Sequence, residues 1–286
     1  MDALYWLDAL PYEDTKVFAR AFRVAPGGPA CNAAIAHALL GGKATLMSAV
    51  GTGPMAELVR EELARRGVRL VDPAAGTAYE TPLTTVLVSA LGATRTIVNP
   101  PVQRVEMARA GRAWQAEWGE LPQVALSDGF HLAETLPLLG GLREGGVALC
   151  LDGGSWKPGS DELAPMLTAA ICSERFALPG GAPDAEATLG WFSAKGVPYV
   201  AVTRGARPIL GLDRGRRFEI PVRPVQAVDT LGAGDVLHGA FCFHFARTGN
   251  FEASLREAAE TATRSCEGMG ITHWAGSDGP GPAKSQ

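Results

Sequence analysis

Residues 227–241 read Ala-Val-Asp-Thr-Leu-Gly-Ala-Gly-Asp-Val-Leu-His-Gly-Ala-Phe, with Gly232 and Gly234 where an extended segment turns into a helix and Asp235 in its first turn. Glycine lets backbone N–H groups approach a ligand with no Cβ in the way. A helix start points those N–H groups, and the positive end of its dipole, at an anion. A carboxylate there repels phosphate and so does not serve to hold it. It does suit removal of a proton from a hydroxyl that attacks the phosphate. The structural alternative is a Gly-rich turn in which Asp229 or Thr230 caps the helix.

Two further glycine turns open helices. Pro26-Gly-Gly-Pro-Ala-Cys-Asn32 feeds a small-residue helix with apolar spacing at Ile35, Leu39 and Leu40. Asn32 can hydrogen-bond a polyol, or serve as a cap. Gly51-Thr-Gly-Pro-Met-Ala56 follows the strand expected at Ala44–Val50, precedes a helix at Glu57–Arg66, and has Asp72 some twenty residues on. That is the pattern of a dinucleotide turn and keeps an NAD(P)-dependent oxidoreductase open as an alternative. Against it, the strand is not the first in the chain and Pro54 sits in the turn. Gly42-Lys43 lacks the upstream glycine and following Ser/Thr of a phosphate-binding P-loop.

The elements around these turns alternate. Helices are expected near 106–118, 133–144 and 184–196, and buried strands near 124–127, 147–152, 169–172 and 198–203. This implies parallel strands whose C-terminal ends gather ligands. Ser127, Asp128, Asp152, Ser173, Glu174, Thr203 and Gly205 fall at such ends, Asp128 as a cap for the next helix. Phe218–Val222 is a further strand, and helices follow at about 232–247 and 251–267. His238 and His244 lack metal-ligand spacing to a third ligand and read as packing residues. Apolar Met1–Leu10 with Lys16–Val24, and Thr81–Ala90 with Thr94–Val98, read as two hairpins.

At 286 residues, 47% hydrophobic and 20% charged, the chain has the size and composition of one large α/β domain. A net charge of −4 without a basic stretch argues against a nucleic-acid partner. Five scattered cysteines read as reduced thiols, and no run is long enough to span a membrane, so the expected location is the cytoplasm.

Asp229-Thr-Leu-Gly-Ala-Gly-Asp235 resembles the Asp-Thr-x-Gly-Ala-Gly-Asp signature of the PfkB (ribokinase-like) carbohydrate kinases, and Gly27-Gly28…Asn32 resembles the family's Gly-Gly-x-x-x-Asn. Arg95-Thr-Ile-Val-Asn99 is similar to stretches in ketohexokinase and sulfofructose kinase members. The resemblance implies a ribokinase-like α/β fold: a mostly parallel sheet with helices on both faces and a small β lid. Residues 1–25 and 80–100 would form the lid, 26–79 and 101–274 the kinase core, and 275–286 a flexible tail. It implies Asp235 as catalytic base with Gly232, Ala233 and Gly234 as the anion hole. Asp2, Gly27, Gly28, Asn32 and Asn99 would bind the sugar. Thr203, Gly205, Thr230, Gly268 and Gly270 would bind nucleotide, and Asp152 and Glu174 would shape the metal region. Ser173-Glu-Arg-Phe176 stands where the family carries Asn-x-x-Glu, which loosens the metal assignment.

The implied reaction is ATP-dependent phosphorylation of a ketose or ketose derivative, with Mg²⁺ and optionally a monovalent cation, by a homodimer joined through the lid. Lys16 or Arg20 would meet any anionic group on the substrate, whereas Gly129-Phe130 replaces the Arg of the sulfosugar enzyme. The family's first strand is absent before Asp2, so a start upstream of Met1 is expected. An inactive sugar- or nucleotide-binding homologue is the remaining alternative.

Overall fold

The computed structural model describes residues 1–92, 94–101 and 120–276. The expected helix near 106–118 lies outside them, as does the tail beyond Gly276. The chain packs as two compact units, Met1–Ala108 with Val225–Val236 and Thr261–Gln286, and Arg109–Pro224 with Leu237–Glu260. These boundaries do not follow the lid-and-core division.

In the first unit the two expected hairpins merge into one four-stranded sheet. Its strands are β1 (Asp2–Leu7), β2 (Ala21–Ala25), β5 (Thr84–Ser89) and β6 (Thr94–Val98), in the order β2-β1-β5-β6. β1 pairs antiparallel with β2 and parallel with β5, so strands whose partners lie 82 residues apart in sequence hold the middle of the sheet. The register puts Asp2, Leu4 and Trp6 on one face with Arg23, Val86, Val88 and Arg95. Leu4, Trp6, Val86 and Val88 bury that face against Leu231 and Met269.

A parallel pair, β3 (Ala44–Met47) and β4 (Val68–Val71), completes this unit with helices α1 (Pro29–Leu39) and α2 (Pro54–Arg65). Both helices begin alike. Gly28 (φ 102°) and Gly53 (φ 90°) are the N-caps, in a backbone region closed to most side chains, and a proline follows at N1, where no N–H is needed. Pro54 therefore starts α2 three residues before the expected Glu57. Ile35, Leu46, Val59, Leu63 and Val68 form the apolar core here.

The second unit is built on a six-stranded sheet: β7 (Val124–Ser127), β8 (Ala148–Gly153), β9 (Ala169–Ser173), β10 (Tyr199–Arg204), β11 (Arg207–Asp213) and β12 (Arg216–Ile220). β7 to β10 are parallel and β10–β11–β12 antiparallel. The closing hairpin β11–β12 lies outside the simple alternation expected from sequence, which anticipated only the strand at Phe218–Val222. β8 and β9 are buried nearly throughout, as parallel strands covered on both sides must be.

Helices α3 (Leu132–Glu144), α4 (Ser160–Leu163) and α5 (Ala185–Ala194) belong to this unit. Asp184 caps α5 by accepting from Ala187 N at 3.0 Å. Phe176, Phe192 and Leu189 are almost fully buried, as are Phe241 and Phe251, whose rings meet edge to face at 5.6 Å. The last two belong to α6 (Ala233–Thr248) and α7 (Phe251–Ser265). Asp128 corrects one expectation: it accepts from Phe130 N and closes a turn. His131, in the left-handed region, is the α3 N-cap and makes no side-chain cap bond.

Candidate active site

The turn before α6 is organised by a buried carboxylate. Asp229 is 5% exposed. It accepts from Leu231 N at 2.8 Å, Gly270 N at 3.1 Å and Trp6 Nε1 at 3.3 Å. The sequence offered Asp229 only as a local cap. The structure adds two long-range partners, so one carboxylate ties the turn to β1 and to the glycine segment after α7.

Gly232 follows at φ 71°, and a Cβ there would overlap the Ile271 side chain. Both facts restrict the position to glycine. That same vacant Cβ position lies 3.6 Å from Asp235 Oδ2 and 3.7 Å from Asn32 Nδ2. Asn32, 8% exposed on α1, donates from Nδ2 to Asp235 Oδ2 at 2.6 Å. Two side chains 203 residues apart thus meet where the glycine leaves room. Asp235 is held in one orientation, as a residue that must meet a proton at a fixed place requires.

Asp2 opens β1 on the same face. Gly27 approaches it so closely that a Cβ would overlap its carboxylate. Burial, partly offset by the neighbouring amino group, pushes the Asp2 carboxyl above its usual value. Asn99 accepts from Thr84 Oγ1 at 3.0 Å, and Thr84 is paired with Asp2 across the sheet. Cys31, next to Asn32, is buried and its thiol is pushed up to about 12, chiefly by that burial.

Thr230 lines a small surface depression of about 10 Å³, whose walls are Val88, Thr94 and Arg95 on one side and Val228–Leu231 on the other. Gly270 (φ 77°) gives its N–H to Asp229, and a Cβ at Gly268 would run into the His273 ring. The first unit therefore brings together Asp2, Gly27, Gly28, Asn32, Thr230, Gly232, Asp235 and Gly270. Ala233 and Gly234 form the first turn of α6.

In the second unit, Thr203 Oγ1 donates to Cys172 O and Thr203 O accepts from Glu174 N, while Gly205 takes φ 62° in the following turn. Glu174 forms an ion pair with Arg207. Asp152, 8% exposed, faces His238 with Oδ2 at 3.3 Å from Nδ1, and His238 Nε2 lies 3.1 Å from Ile171 O. His238 is thus a buried residue, as its reading as a packing residue has it, and also a polar partner of a strand-end carboxylate. The described residues hold no group of three or more His, Cys, Asp or Glu able to cage a metal ion. Such a donor set fits Mg²⁺ only as an ion carried largely by phosphate oxygens, with one or two carboxylates beside it.

The oxidoreductase alternative loses its key residue. Asp72 accepts from Val50 N, Gly51 N and Ala74 N at 2.9–3.0 Å, and Arg60 pairs with it at 2.8 Å. Its carboxylate holds the turn together and has no oxygen to offer a ribose. The anionic-substrate residues also move. Arg20 forms an ion pair with Asp8, both exposed, and Lys16 sits over the Phe18 ring.

A helix start bounded by glycines, with a bonded carboxylate in its first turn, has the parts that phosphoryl transfer to a hydroxyl requires. The chain belongs to the pfkB family of carbohydrate kinases, whose profile matches residues 2–115 and 156–274. It is 24% identical to a ribokinase of Haemophilus influenzae over 82% of this chain and 79% of that one. A deoxyribokinase of Salmonella typhi is 36% identical, but the match spans only a quarter of that relative's length and 27% of this chain. Among solved structures, a candidate ribokinase from Agrobacterium tumefaciens superposes with TM-score 0.82 at 26% identity, covering 94% of this chain and 89% of its own. Arabidopsis thaliana ribokinase, solved with ribose and ATP, gives TM-score 0.69 at 19% identity, with 96% and 95% covered.

Proposed function

We propose that this protein transfers the terminal phosphate of ATP to a hydroxyl of a sugar, a ketose or ketose derivative. The observation that carries the reading is the 2.6 Å bond from Asn32 Nδ2 to Asp235 Oδ2 across the space that Gly232 leaves open. Asp235 takes the proton of the attacking hydroxyl as the oxygen–phosphorus bond forms. The N–H groups of Gly232, Ala233 and Gly234 meet the charge on the transferring phosphoryl oxygens. Asp2, Gly27, Gly28, Asn32 and Asn99 hold and orient the sugar. Thr230, Gly268 and Gly270 contact the nucleotide. Mg²⁺, when bound, neutralises phosphate charge, with Asp152 and Glu174 as its candidate neighbours and a monovalent cation as a further activator.

The lid sheet supports a homodimer. Its outward face carries Phe22, in register with Tyr5 and Leu87, and Val98, in register with Thr85; Phe22 and Val98 are each 57% exposed. A second copy with the same face would cover this apolar patch. Phe22→Asp should shift the protein to monomer in light scattering. A wild-type protein that is already monomeric would remove the dimer.

The kinase reading is tested by measuring ADP release with ATP against a panel of ketoses and aldoses. Sugar-dependent ADP release, highest with a ketose, is expected. Binding of ATP and sugars without any ADP would favour the inactive homologue.

A further inference from the structure

A carboxylate at the end of β8 has one oxygen accounted for and one that is not. Asp152 is 8% exposed and stands opposite Ile171 in the parallel pair β8–β9. His238, 4% exposed, meets both residues: its Nε2 is 3.1 Å from Ile171 O and its Nδ1 is 3.3 Å from Asp152 Oδ2. A carbonyl oxygen only accepts, so Nε2 carries a proton and the ring is fixed with its Nδ1 edge on the carboxylate. Gly153 packs so closely on Cys172 that a Cβ there would overlap its sulfur, which leaves this strand end no room to shift.

Asp152 Oδ1 has no hydrogen-bond partner among the described residues. It lies 3.9 Å from the vacant Cβ position of Gly154, in the bend that follows β8. A buried polar atom without a partner costs stability. A deeply set carboxylate and imidazole add little to stability by themselves. Strand C-terminal ends are where sheets of this kind meet ligands, so Oδ1 has a use that the fold alone does not supply.

We propose that His238 is the positioning residue of the metal region. It occupies Asp152 Oδ2, so that Oδ1 is the oxygen offered to Mg²⁺ or to one of its waters. The proposal rests on the kinase reading, which supplies the metal and its nucleotide. Carboxylates beside a metal are themselves hydrogen-bonded, and the partner sets their direction. Helix α6 then carries Asp235 for the proton and, three residues on, His238 for the metal carboxylate.

The test measures Mn²⁺ binding in the presence of ADP by electron paramagnetic resonance, which needs no turnover. Wild type is compared with His238→Leu, His238→Asn and His238→Gln. Asparagine puts an amide nitrogen at the δ position that faces Asp152, and glutamine puts one at the ε position that faces Ile171. His238→Leu should weaken Mn²⁺ binding about tenfold or more, the scale of a lost partner of a metal ligand. His238→Asn should restore most of the affinity and His238→Gln little of it, although His238→Gln should regain more thermal stability. In an Asp152→Ala background, His238→Leu should change Mn²⁺ binding no further. Equal Mn²⁺ affinity in wild type and His238→Leu overturns the positioning role and leaves the kinase reading, judged by ADP release, intact. A deficit that His238→Asn does not relieve, or that persists without Asp152, marks a purely structural role and overturns it as well. A His238-dependent Mn²⁺ site on a protein that releases no ADP with any sugar sinks the kinase reading and keeps the positioning role.

Discussion

Two glycine turns in the first unit, Gly51–Ala56 and Leu231–Asp235, share one plan. In each, a buried aspartate gathers backbone N–H groups and a helix follows. At Gly51 the aspartate is Asp72, and Arg60 closes the arrangement by pairing with it. Pro54 then removes an N–H from the start of α2. At Gly232 the organising aspartate is Asp229, and a second acid, Asp235, stands in the helix's first turn, bonded to Asn32. The first turn is complete as a piece of structure. The second carries a further acid besides the one that gathers its N–H groups, and the proposed function assigns its chemistry to that acid.

Substitutions at the two turns should part company. Gly232→Ala is expected to lower kcat/KM about a hundredfold or more, because a Cβ displaces Ile271 and shifts the anion-hole N–H groups. Unchanged kinetics in that variant would place the phosphate elsewhere. Asp72→Ala should instead cost about 3 kcal/mol of stability in denaturant titration, by stripping Arg60 and three N–H groups of their acceptor. The fraction that remains folded should keep a near-normal KM for sugar. A selective loss of catalysis with full stability would contradict the division.

The smallest effect concerns Cys31, beside Asn32. Its thiol, held up to about 12 by burial, stays protonated at pH 8, and the thiolate is the reactive form. Mass spectrometry should find Cys31 unmodified by iodoacetamide in the native protein and labelled after unfolding. Rapid native labelling would mean that the α1 end of the site opens to solvent.

Local chemistry was legible in the sequence. The seven residues from Asp229 to Asp235 announce their turn because glycine, a cap and an acid act within one helix start. Strands β7 to β10 fall within a residue or two of expectation because buried parallel strands read as continuous apolar runs. Pairings between distant segments were not legible. Nothing in Met1–Leu10 shows that β1 lies parallel to β5, since pairing partners are set by the sheet as a whole. The same limit hid two side-chain roles: Asp72 serving N–H groups at Val50 and Gly51, and His238 meeting Asp152. Each needs a partner at least twenty residues away, and a residue's type does not name its partner. Resemblance to a known motif named Asn32 as a sugar contact, but its bond to Asp235, 203 residues away, was as hidden as the others.

The account rests on Asp235 as the group that takes the proton. Single-turnover phosphate transfer by Asp235→Asn, with the binding of ATP and sugar measured on the same protein, tests it most directly. Transfer should slow by about a thousandfold while both ligands bind near their wild-type affinities, since asparagine keeps the shape and loses the base. Transfer at close to the wild-type rate would contradict the mechanism.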